Sequence, residues 1–354
     1  MWNRSRTSTV ICLLAAGCGK GRTVESVGPN ATTPAAALAL LTALAHDSLE
    51  GRLTGTPGIA KAAGIIARDM ARIGLIPAGD SGHFQRVPLV MATRVVNQRE
   101  IAALSLAASF AARDSFPAAK RVPGFNILGR LDGSDSSLKN EHILVGAHYD
   151  HIGVRPHPSG DSIFNGADDD ASGVTAVLKI AEQLRAGPRP RRTIIFAAWT
   201  GEERGLLGAR WYADHPALPL EQMALNLEVE MIGRPDSLAG GPGRAWLTGY
   251  QRSSMGPALA AAGLPIVADK RPAQNFFRRS DNYHFALKGI VAHTISSYNM
   301  HGDYHQPSDQ VDRVDPVHMA AVINAAAKAV RLLADGPKPT WNPGGRPTPD
   351  SKQD

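Results

Sequence analysis

From residue 125 onward the chain alternates short apolar runs with helix-like stretches. Residues 143–147 read as a short buried strand, and 171–184 as a helix ended by Gly187-Pro188. Residues 193–199, 223–232 and 289–296 read as further strands, and 316–333 as a helix with proline in its first turn. Strands alternating with helices imply an α/β fold: a three-layer sandwich with a central mixed, largely parallel sheet flanked by helices. In such sheets ligand sites form at the carboxyl ends of the strands. Upstream, 34–45 and 57–73 have helical composition, with Gly74 as a stop, while 84–106 look strand-like and then helical or mixed.

The composition narrows the class. Hydrophobic residues at 43% and charged residues at 20% exclude a mainly disordered, collagen-like or coiled-coil chain. Aromatics at 6% leave little for the stacking platforms of single-stranded nucleic-acid binders. The net charge of +6 comes from scattered residues, so no nucleic-acid partner is expected. Cys12 and Cys18 are the only cysteines, which excludes a disulfide scaffold, a cysteine-based zinc finger and a cysteine nucleophile.

Residues 1–18 read as an export signal. Arg4 and Arg6 precede an apolar run far shorter than the ~20 residues of a spanning helix, and the run ends in small residues. The ending Leu14-Ala15-Ala16-Gly17-Cys18 resembles a bacterial lipoprotein signal, with Ala15 where leucine is usual. The expected organisation is a signal (1–18), a tether (19–33), one catalytic domain (34–335) and a disordered Pro/Gly-rich tail (336–354). This implies an exported bacterial protein, periplasmic or in the cell envelope, whose only membrane contact is a lipid at Cys18.

Five segments carry chemistry at predicted strand ends. They are Gly146–His151, the run Gly166-Ala167-Asp168-Asp169-Asp170-Ala171-Ser172-Gly173, Gly201-Glu202-Glu203, the pair Glu228 and Glu230, and Tyr304–Asp309. Three adjacent aspartates repel. A helix N-terminus offsets ~0.3–1 kcal/mol per charge, and a divalent cation offsets far more. Taken alone, the triplet reads equally as a solvated acidic turn capping a helix. Histidines and a glutamate pair at equivalent strand ends favour a metal. Histidine with carboxylate suits zinc. Two histidines and three carboxylates exceed the needs of one catalytic zinc and suit two ions sharing a bridging carboxylate. No His-Glu-x-x-His, Gly-x-Ser-x-Gly or phosphate-loop motif is present.

The ordered set of segments, together with His46–Gly55, resembles metallopeptidase family twenty-eight, the co-catalytic zinc aminopeptidases. The resemblance implies two zinc ions and hydrolysis of peptides with free N-termini. It implies that His148 binds one zinc, Asp169 bridges both, Glu203 binds the second, and His305 completes that site. Glu230, where the family has aspartate, would complete the first site, with Glu228 its rival. Glu202 would be the general base toward a bridging water. Asp150 would orient His148 through its other ring nitrogen. A cis peptide between Asp169 and Asp170 is also implied. His151, His301, Asp303 and Tyr304 are expected to be structural neighbours. The alternatives are a glutaminyl cyclase-like single-zinc enzyme, a carboxypeptidase-like relative and a non-catalytic binding relative.

Overall fold

A computed structural model describes residues 30–96 and 99–348, together with Met1. The expected signal, Cys18 and most of the tether lie outside the described residues. The main sheet is built from β1 (Phe125–Leu131), β2 (His142–His148), β3 (Thr193–Trp199), β4 (Met223–Val229), β5 (Ala245–Leu247), β6 (Ile266–Ala268) and β7 (Ala292–Ser296). Their order is β1-β3-β2-β4-β7-β5-β6, with Ile76–Pro77 and Phe84–Arg86 both paired to β1. The four central strands β3, β2, β4 and β7 are mutually parallel, while β1 and β5 run antiparallel to their central neighbours.

Every residue of β2, β3 and β4 is buried, as expected of parallel strands covered on both faces. Alternation sorts their side chains. Ile143, Val145, Ala147, Ile194 and Phe196 face one core, shared with helices α1 (Pro34–Leu44), α2 (Pro57–Ile73), α3 (Gly173–Ala186) and α6 (Pro316–Asp335). Leu144, Ile195, Ala197 and Trp199 face the other, against α4 (Leu207–Asp214) and α5 (Asn282–Leu287). The chain leaves β2 through α3 to β3, then returns past β2 through α4 to β4. This reversal opens a crevice outside the carboxyl ends of the central strands.

Local signals set the helix ends. Thr33 and Asp315 accept backbone N–H bonds at the starts of α1 and α6, and Gly74 closes α2 in the left-handed region at φ 81°. Three expectations need correction. The later part of 84–106 is a strand: Arg99–Leu106 pairs antiparallel with Leu89–Val96, and this pairing overrides a composition rich in the helix formers Arg, Glu, Ala and Leu. Strand β4 stops at Val229 because Met231 turns into the left-handed region at φ 49°. Residues 336–348 are not loose. Trp341 donates its indole N–H to Gly289 O at 3.0 Å and packs against Phe277 and His293, while Asn342 N bonds Arg252 O at 2.8 Å. A Trp341→Ala variant should lose about 2 kcal/mol, less than a fully buried tryptophan, and its melting temperature should fall by several degrees in calorimetry. A loose tail would leave it unchanged.

Candidate functional site

The candidate side chains sit at or just beyond the carboxyl ends of central strands or on the turn into α3, with Glu228 inside the end of β4. His148 ends β2, with Asp150 and His151 just after it. Glu202 and Glu203 follow β3, Glu230 follows β4, His305 lies on the loop after β7, and Asp169 lies on the turn 167–172.

The three aspartates have different partners. Asp168 Oδ1 accepts the Gly233 N–H at 2.7 Å, and its other oxygen is 3.0 Å from His301 Nε2. Asp170 Oδ1 accepts the N–H groups of Gly173 and Met231 at 2.9 and 3.0 Å. From below, the Asp309 carboxylate accepts the N–H groups of Asp168 and Asp169 at 3.1 Å. The turn is thus held on both sides, and the carboxylate of Asp169 alone points into the site. The peptide between Asp169 and Asp170 is cis. A Cβ at Gly173 would collide with Val229 O and the Asp170 carboxylate, so glycine lets the turn close against β4.

Two clusters share Asp169. Its Oδ1 is 3.2 Å from His148 Nε2, and its Oδ2 is 3.2 Å from His305 Nε2. His148, Asp169 and Glu230 each offer a donor atom within 4.8 Å of the others, and so do His151, Asp169 and Glu203. His305 Nε2 lies 3.2 Å from Glu203 Oε2, and His151 Nδ1 lies 2.8 Å from Glu203 Oε1. These contacts are close but not aligned as hydrogen bonds, so His305 Nε2, His151 Nδ1 and Glu203 Oε1, together with His151 Nε2, are buried without a hydrogen-bond partner. Leaving such groups unmatched costs about 1–3 kcal/mol each. Convergent imidazole nitrogens and carboxylate oxygens are the donor set that zinc takes. The residues present fit the metal.

The electrostatics agree. Burial pushes Glu202 well above the usual carboxylate range, and the charges of Asp281 and Glu230 add to it against the pull of His148. Burial likewise raises Glu230 and Asp170. Burial pulls His148 down, but Glu202 and Asp169 outweigh it and lift the imidazole well above its usual value. At His305 burial acts downward too, and the Asp169 and Glu203 carboxylates raise it to about 9. The site holds more buried negative charge than its own side chains neutralise, which a divalent cation would relieve.

The structure separates the two rival glutamates. Glu228 accepts from Asn226 Nδ2 at 2.7 Å and from Trp199 Nε1 at 3.0 Å, so both of its oxygens serve neutral donors. Gly146 makes room for it, since a Cβ there would strike that carboxylate and the Trp199 indole. Glu230, bonded by Ser280, joins His148 and Asp169 instead. One expected contact is different. The Asp150 carboxylate stands 3.9 Å from His148 Nδ1, whose nearer partner is the Asp150 carbonyl oxygen at 3.2 Å. That carboxylate accepts the Glu202 N–H at 3.0 Å and the Thr54 hydroxyl at 3.2 Å, so it fixes the loop that carries Glu202.

Three contributors escaped the sequence reading. His151, expected to be a structural neighbour, faces Glu203 directly. Asp309 closed a motif segment without a role. Arg52 is buried and donates to carbonyls of Leu44, Tyr149, Asn165 and Gly166 at 2.5–2.9 Å, tying the exit of β2 to the approach of the aspartate turn. Its only sequence signal is its place in the 46–55 segment, because its left-handed backbone at φ 49° leaves no mark in composition.

Residues 126–330, more than half of the chain, match the sequence profile of Peptidase family M28. The chain belongs to this family. The family profile spans β2 to β7 and covers every candidate residue. Among curated proteins, the chain is 29% identical over 230 residues to the "Probable lipoprotein aminopeptidase LpqL" of Mycobacterium tuberculosis, covering 54% of this chain and 42% of that one. It spans less than half the length of the first curated relatives it matches. Among solved structures, the zinc aminopeptidase BSAP of Bacillus subtilis superposes with a TM-score of 0.62 at 16% identity, covering 86% of this chain and 95% of that one. Porphyromonas gingivalis glutaminyl cyclase superposes at 0.55 with 17% identity, covering 84% and 97%. Both likenesses establish the M28 fold with its mixed, largely parallel sheet.

Glu230→Gln should lower the zinc content of the purified protein. Glu228→Gln should keep its zinc and lose about 1–3 kcal/mol of stability, because an amide N–H would then face an indole or amide donor. Metal analysis with denaturant unfolding separates the two.

Proposed function

We propose that the protein is a zinc-dependent aminopeptidase using two metal ions. The observation that carries this reading is the placement of the two Asp169 oxygens, each 3.2 Å from a different histidine. His148, Asp169 and Glu230 would hold one zinc, and Asp169, Glu203 and His305 the other, with His151 as a further donor behind Glu203. When bound, zinc supplies a Lewis acid for the scissile carbonyl and acidifies water toward neutral pH.

The remaining steps fall to side chains. Glu202, 3.9 Å from His148 Nε2, takes a proton from the attacking water and delivers it to the leaving amine. Its raised proton affinity suits a group that must both take and give a proton. Asp150 bonds the Glu202 backbone through its carboxylate and His148 through its carbonyl, which ties the base to the His148 side of the site. The named activity of LpqL supports release of N-terminal residues from peptides. An exported protein anchored at Cys18 belongs to the same proposal, and the lipoprotein description of that relative supports it.

Glu202→Gln should lower turnover of an aminoacyl chromogenic substrate by about 10²–10⁴-fold with zinc content unchanged. Near wild-type turnover would refute the base. Asp169→Asn should lose zinc from both clusters, as read by metal analysis, along with activity. A chelator should abolish activity and zinc restore it, with N-acetylated substrates resistant throughout. Equal cleavage of blocked and free N-termini would refute the aminopeptidase reading.

A further inference from the structure

Beside the two clusters opens a cavity whose lining includes Asp169, Glu202 and Glu230. Its wall includes Trp246 and Phe276, stacked with ring centroids 5.1 Å apart, and Tyr298, edge-on to Phe276 at 5.9 Å. Aromatic walls alone would suit an apolar residue. Two donors change that. Arg279 also lines the cavity, with its guanidinium carbon 5.1 Å from the Phe276 centroid. This cation–π contact holds the guanidinium beside the aromatic wall. Among the described residues Arg279 has no carboxylate partner, whereas nearby arginines do. Arg271 grips Asp236 at 2.6 and 2.9 Å, and Arg234 reaches Asp303 and Asp309 at 2.5 and 3.3 Å. The second donor is the Trp246 indole N–H, buried without a partner.

The carboxylates that line the cavity are those of Asp169 and Glu230, which bound cations would offset, and of the base Glu202. Among the lining residues Arg279, on the solvent-exposed rim, is the one cationic side chain, and Trp246 holds the unpaired indole donor. Resting on the aminopeptidase reading above, we propose that Arg279 and Trp246 make this cavity a subsite for an acidic side chain, so that the preferred substrates are peptides beginning with glutamate or aspartate. A carboxylate there gains a charge-assisted bond to the guanidinium, and the aromatic walls cover its methylene stem.

The test compares glutamyl, aspartyl, leucyl and lysyl chromogenic substrates on zinc-loaded wild type, Arg279→Ala and Arg279→Glu. Wild type should prefer the acidic substrates. Arg279→Ala should lower the glutamyl-to-leucyl ratio of kcat/KM by about tenfold or more, and Arg279→Glu should move preference toward lysyl. Calorimetry on the same proteins should show L-glutamate binding wild type more tightly than L-leucine, with the difference lost in Arg279→Ala. A leucyl preference whose ratio is unmoved in both variants overturns the acidic subsite and leaves the aminopeptidase standing. Zinc-loaded protein that turns over none of the substrates overturns the aminopeptidase reading, and this assignment with it.

Discussion

The Asp169 carboxylate faces His148 through one oxygen and His305 through the other, and the rest of the site is arranged around that orientation. A carboxylate flanked by two more aspartates takes such a position only if its neighbours are held elsewhere. Asp168 and Asp170 are bonded to backbone N–H groups beyond β4, and Asp309 takes the N–H groups of Asp168 and Asp169. Arg52 ties the approach to this turn to the exit of β2. The central sheet supplies the frame: four parallel strands ending together bring His148, Glu202, Glu230 and the His305 loop to one crevice.

That arrangement concentrates negative charge in a buried space. Burial and mutual repulsion push Glu202, Glu230 and Asp170 toward their protonated forms, while Glu202 and Asp169 lift His148, and Asp169 and Glu203 lift His305. Metal ligands must be deprotonated, so zinc would replace protons held by these imidazoles, and its affinity would weaken as pH falls. A cation bound to the native state alone also stabilises the fold by mass action. Site and fold would thus be linked through the bound metal.

Much of this was legible in the chain. The runs at 143–147 and 193–199 are apolar and β-rich because both their faces are buried, so they read clearly and fall within or coincide with observed strands. Helix ends at Gly74 and Pro316 carry their own chemistry and were equally clear. The Arg99–Leu106 strand was obscured, since a partner across a hairpin decides it rather than its own composition. The packed segment 336–348 was obscured too, because one tryptophan among prolines and glycines anchors it. At the site, the residues at strand ends and their order carried the signal. What the order did not reveal was which atom of Asp150 meets His148, why Glu228 is engaged elsewhere, and that His151 turns inward. Those depend on side-chain directions and on non-local donors such as Trp199 and Asn226.

Diffraction at the zinc absorption edge, on crystals of the full chain grown with zinc, tests the shared carboxylate most directly. Two anomalous peaks should flank Asp169, one beside His148 and Glu230 and one beside Glu203 and His305. A single peak, or two peaks that do not share Asp169, would contradict the two-metal site.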